Sequence, residues 1–139
     1  ANSKVELKEK KDRVEDAIYA TKAALKEGIV PGGGIALLNA AQKIEPSNEG
    51  EKVLLNAIKS PFITIMNNAG FEALGYPEKE GIGVNVVTGE EVDMVAEGII
   101  DPVLVTKSAL KNAVSVVMTI VSADCVISNA RQDDYESDK

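Results

Sequence analysis

The chain has 139 residues, 45% of them hydrophobic but only 4% aromatic, and a formal net charge of -7. That supply of Ala, Val, Ile and Leu favours close helix packing over an aromatic-rich sandwich. The acidic balance disfavours binding to a nucleic-acid backbone. One cysteine, Cys125, and no histidine exclude an internal disulfide framework and histidine-based acid–base or triad chemistry, and make a Cys/His zinc site untenable.

Catalysis in this chain would therefore rest on Asp, Glu, Lys or a hydroxyl. A single thiol fits a reducing compartment. No run of eighteen apolar residues and no signal peptide are evident, so no membrane association is expected. The charged start "ANSKVELKEKKD", without an initiator Met, reads as a fragment or a processed product.

Residues 4–27 read as one long helix. Ser3 with Glu6 forms a capping-box pattern. The helix is of the exposed type, with Val14, Ala17, Ile18, Thr21, Ala24 and Leu25 on one face as its apolar stripe. Gly28 is placed to end the helix in the left-handed conformation. After "IVPGGG" a second helix is predicted from Ile35 to about Lys43, followed by the loop "IEPSNEG" and a third helix over 50–59. Ser60-Pro61 reads as an N-cap and first-turn proline opening a fourth helix that stops at Gly70. "FEALGYPEKEGIG" is turn-rich, and "GVNVV" alternates like a short strand. "VDMVAEGII" predicts one helical turn and a further short strand. Asp101-Pro102 repeats the cap-plus-proline signal before the longest apolar helix, 102–124, which is expected to be largely buried. "CVISN" reads as a last short strand, and "ARQDDYESDK" as a frayed acidic tail.

Several residues admit both a structural and a chemical reading. Gly32, Gly33 and Gly34 precede a helix N-terminus. They make either a flexible turn or a bare backbone that cradles an anion. They are not a Walker A loop, because no Lys-Ser/Thr follows. Asp16 lies opposite the apolar stripe, beside Ala20 and Ala23; it is either a solvated charge paired with Arg13 or a carboxylate with room for something to approach. Asp101 is either the cap of the last helix or a carboxylate at a strand-to-helix junction that accepts bonds from a ribose. Asn85 bonds either to a base edge or to a neighbouring loop. Cys125 reads as a small buried apolar residue.

Taken together and in order, "KEKKDRVEDAIYATKAALKEGIVPGGGIALLNAA", "GVNVVTGE", "GIIDPVLVTKSAL" and "AVSVVMTI" resemble the group I chaperonins, the GroEL family, from about Val5 to Asn129. The resemblance implies a mainly α fold: the multihelical C-terminal half of a chaperonin equatorial domain with a small β-hairpin, preceded by a long intermediate-domain helix. Residues 1–28 would be the descending intermediate-domain segment, 29–129 the half-domain, and 130–139 a disordered acidic tail. It further implies an ATP-driven ring machine that folds non-native proteins in a cavity. Its cofactors would be ATP and Mg2+. Its partners would be other subunits in seven-membered rings, a co-chaperonin lid and unfolded clients. Its place would be the bacterial cytoplasm or, alternatively, a mitochondrial matrix or plastid.

By the same resemblance Asp16 is the catalytic carboxylate that activates or orients the attacking water. Gly33, with Gly32 and Gly34, contacts the nucleotide through its backbone. Asn85, Val86 and Val87 lie near the adenine, where the family often shows two alanines in place of the valines. Asp101 binds the ribose. The family's phosphate loop "GDGTTT", its metal-binding aspartates and its client-binding domain are absent from this sequence. The chain alone is therefore expected neither to hydrolyse ATP nor to fold clients. The alternative function is an isolated helical interaction module without nucleotide activity.

Overall fold

The computed structural model describes residues 3–71, 75–123, 125 and 127. It begins with a 24-residue helix, α1 (Lys4–Glu27). The Ser3 hydroxyl accepts from the Glu6 N–H at 3.1 Å, so the expected cap is present. The first half of α1 is held by exposed i,i+4 pairs: Glu6 with Lys10, Glu9 with Arg13 and Lys11 with Glu15. Each contributes about 0.3–0.5 kcal/mol. Arg13 thus pairs with Glu9 rather than with Asp16.

The packing face of α1 differs from the expected stripe. Val14, Ile18 and Leu25 remain exposed, whereas Ala23 is buried and Ala20 and Ala24 are half-buried. Small side chains let the helix axis come close to its neighbours, and bulk on that face would push it away. Size decided the face here, not hydrophobicity. Gly28 ends α1 with φ 85° and ψ −167°. It takes positive φ as expected, but its ψ is extended, so the chain turns directly into a strand.

That strand, β1 (Ile29–Pro31), pairs antiparallel with β4 (Ile100–Pro102), placing Val30 opposite Asp101. Between them lie α2 (Ile35–Lys43), α3 (Glu49–Ala57), α4 (Ser60–Asn68) and a second antiparallel ribbon of β2 (Ile82–Asn85) and β3 (Glu90–Asp93). The chain closes with α5 (Val103–Val121). The segment after Glu90, expected to begin as a helical turn, is strand β3 followed by a turn.

Two expected caps are displaced. Ser60 is already the first helical residue of α4, with Lys59 before it and no side-chain cap. Asp101 lies inside β4, and Pro102 holds the N-cap position of α5. Cross-strand pairing with Val30 claims the Asp101 backbone, so its carboxylate is not used as a cap.

The core is small. Ile35 and Leu38 of α2, Phe62 and Met66 of α4, and Met94 after β3 are buried together, with Ile63, Phe71, Val84, Val92 and Ile99 packed around them. Each such side chain contributes about 1.5–3 kcal/mol when fully withdrawn from water. The polar residue Asn39 is also buried; its Oδ1 accepts from the Gly81 N–H at 2.9 Å and ties α2 to the base of β2.

α5 departs furthest from expectation. None of its residues is buried, and Val117, Met118 and Val121 are well exposed. It packs along α1 and follows β4, with Lys107 paired to Glu27 at 2.6 Å. Much of its apolar surface stays exposed among the described residues. By length and composition alone it could also cross a membrane. Cys125 is exposed rather than buried. The strand expected at "CVISN" lies largely, and the acidic tail wholly, outside the described residues.

Candidate functional site

The glycine turn sits where β1 meets α2. Gly33 and Gly34 both adopt positive φ, at 63° and 80°. The three glycines are bare for different reasons. Gly32 is buried and donates its N–H to the Ile99 carbonyl at 2.8 Å, extending the β1–β4 ladder by one bond. A Cβ there would lie 3.0 Å from the Ile99 oxygen, and one at Gly34 would lie 2.7 Å from the Phe62 nitrogen. Internal packing explains both. A Cβ at Gly33 would meet only the terminal methyl of Met94, at 2.9 Å. The Gly33 N–H donates to no group among the described residues. Gly33 is therefore the residue of the three that no other backbone atom crowds.

It faces a cleft of about 400 Å³ whose lining includes Phe62, Met66, Val84, Met94 and Ile99 together with Asn85, Val86 and Val87. The volume falls within the range of small-molecule sites, and the walls are largely apolar with few polar groups. β2 ends in a turn at this cleft. There the Asn85 Oδ1 accepts from the Val87 N–H at 3.0 Å, and the Asn85 carbonyl accepts from Gly89 at 2.7 Å. The side-chain oxygen of Asn85 thus serves its own turn. Its Nδ2 has no partner among the described residues and remains a donor at the rim. Val86 is partly covered, and Val87 is 90% exposed.

Asp101 stands two positions beyond Ile99 but is not itself among the residues that line the cleft. It is paired across the ribbon to Val30, two residues before Gly32. Partial burial pushes its carboxyl group above the ordinary aspartate range.

Asp16 is on the same face of α1 as Ala20, Ala23 and Glu27, the face turned toward β4 and α5. It is exposed, lies about 16 Å of helix before Glu27, and makes no hydrogen bond or ion pair among the described residues. The fold thus brings Gly33 together with Asn85, Val86 and Val87, and it sets Asp101 beside the glycine turn. It does not bring Asp16 into contact with them.

Phe62, Ile65, Met66, Met94 and Ile99 also line the cleft and were not singled out from sequence. Only Ile99 carried a usable signal, its two-residue spacing from Asp101. Met94 carried none, since a lone methionine in a polar segment has no periodicity to place it.

Gly33, whose N–H is unpaired among the described residues at a helix start, thus shares an apolar-walled cleft with Asn85, with Asp101 on the neighbouring ribbon. The description of the TCP-1/cpn60 chaperonin family matches residues 1–131. Among solved structures, a group III chaperonin crystallised in the open state is similar at 30% identity and a TM-score of 0.65. The match covers 76% of this chain and 25% of that one, so the chain spans about a quarter of that relative's length. With nearly all of its residues inside the family match, the chain belongs to the TCP-1/cpn60 chaperonin family.

Proposed function

We propose that the chain is part of a group I chaperonin subunit, working in the bacterial cytoplasm or a related organelle, and that it supplies one wall of the subunit's ATP site. The observation that carries this reading is the convergence of Gly33 with Asn85–Val87 in one apolar cleft, although they are some fifty residues apart in sequence. The Gly33 N–H donates to a phosphate oxygen. The apolar walls take the adenine, and the Asn85 Nδ2 donates toward its edge. The Asp101 carboxylate accepts from the ribose hydroxyls. Asp16, on a helix hinged at Gly28, is the carboxylate that orients water when α1 moves onto the site.

Bound ATP with Mg2+ supplies the phosphoryl group whose hydrolysis drives the machine. The phosphate loop and the metal ligands belong to the rest of the subunit. The same reading gives the partners: sister subunits in seven-membered rings, a co-chaperonin lid and non-native clients. Calorimetric titration with Mg-ATP tests it. Heat is expected from the complete subunit and none from the 139-residue chain. In the complete subunit, Asp101→Ala is expected to weaken ADP binding by at least tenfold, as loss of a charged partner to a hydroxyl does. Heat from neither protein would favour the interaction module instead.

A further inference from the structure

Met94 is 2% exposed and occupies the point where the glycine turn, the β2 strand and α2 meet. Its backbone is pinned on both sides: its N–H donates to the Gly81 carbonyl at 3.0 Å, and its carbonyl accepts from Ile99 at 2.8 Å. Its side chain fills the space that two glycines leave open. A Cβ on Gly83 would lie 2.7 Å from the Met94 Sδ and 2.9 Å from its Cγ. A Cβ on Gly33 would lie 2.9 Å from its Cε. One thioether thus spans from the strand that leads to Asn85 to the peptide that faces the cleft, and it also lines the cleft floor.

We propose that Met94 is a positioning residue of the nucleotide cleft: its thioether sets the spacing between the Gly33 peptide and the strand carrying Asn85–Val87, and supplies the apolar floor on which a planar base rests. This inference rests on the nucleotide reading of the cleft. An unbranched, polarisable side chain suits the role, because it fills an irregular gap and makes favourable contact with aromatic rings. The pinned backbone keeps the spacer from drifting. The small residue at 83 follows from the same geometry, since a Cβ there would press on the sulfur and on the Ile35 Cγ1, each at 2.7 Å.

The test uses the complete subunit with ADP as the probe, followed by calorimetry, with thermal unfolding measured alongside. Met94→Ala is expected to raise the ADP Kd by roughly tenfold, the scale of lost packing in an apolar pocket. Met94→Leu, close in volume, should stay within about threefold of the parent. Gly83→Ala alone should weaken ADP, because its methyl drives the thioether into the cleft. Adding Met94→Ala to Gly83→Ala should recover part of that loss, so the two changes are not additive. Should Met94→Ala not fold, Met94→Val is read by the same criteria. An unchanged ADP Kd with a lowered Tm would overturn the inference and leave Met94 as core alone. Additive losses would overturn it too. Asp101→Ala separates this failure from that of the site itself: if it also leaves ADP binding intact, the cleft is not the nucleotide site at all.

Discussion

At the scale of single residues, the three glycines show how one motif can combine two physical causes. Gly34 is held at φ 80° against the backbone of Phe62. Gly34→Ala should therefore destabilise the chain by about 2–3 kcal/mol, from the left-handed penalty plus the clash, which a urea titration will measure. The sequence alone marks the turn and the helix start. It does not separate Gly33, open to the cleft, from Gly32 and Gly34, closed by packing, because the obstructing atoms come from Ile99 and Phe62. Asp101 is a similar case. Its place before Pro102 makes a cap plausible, but pairing with Val30 puts the residue in a strand and leaves the carboxylate partly desolvated. Its folded-state pKa lies above its unfolded one, so its ionised form opposes folding. Stability linked to it is fully present below the ordinary aspartate pKa and is lost as pH rises through the elevated value. Asp101→Asn is expected to be slightly more stable than the parent at pH 7, with the difference vanishing below the ordinary aspartate range. Denaturant curves at the two pH values check this.

At the scale of elements, the helices were largely legible and their contacts were not. Local signals fix where a helix starts and stops: Ser3 before α1 and Gly28 after it. Which side packs depends on what lies opposite. For α1 that is β4 and α5, which admit alanines but not the bulkier Val14–Ile18 side. Ala23→Leu should wedge the helices apart at a cost of about 1–3 kcal/mol, with amide-exchange protection falling in α1 before it falls in α2. At α3, the Asn48 side chain caps the Glu51 N–H at 2.9 Å, and the Glu51 carboxylate in return accepts from the Ser47 N–H and hydroxyl. The Ser47 backbone bond, then its hydroxyl, lower the Glu51 pKa. This clamp is present above the ordinary glutamate pKa and is lost as pH falls through the lowered value, so α3 is expected to fray in acid. Asn48→Ala should remove about 1 kcal/mol at neutral pH.

At the scale of the whole molecule, α5 carries the clearest message. Its sequence reads as a core helix, yet nothing in the described chain buries it. The composition of the helix was legible, but its cover is not found among the described residues. Val117→Asp is therefore expected to change the stability of this chain by no more than about 0.5 kcal/mol. In the complete subunit the same change should be severely destabilising, because a charge would be buried without a partner. Parallel urea titrations of the two proteins test the contrast. The β1–β4 ribbon has another consequence. It joins segments some seventy residues apart, and the Gly32 N–H is anchored by the Ile99 carbonyl. Closing so long a loop costs entropy before any local contact repays it. On a ribosome the glycine turn must therefore wait, unanchored, until β4 has emerged, and the cleft is among the last parts of this chain to take shape.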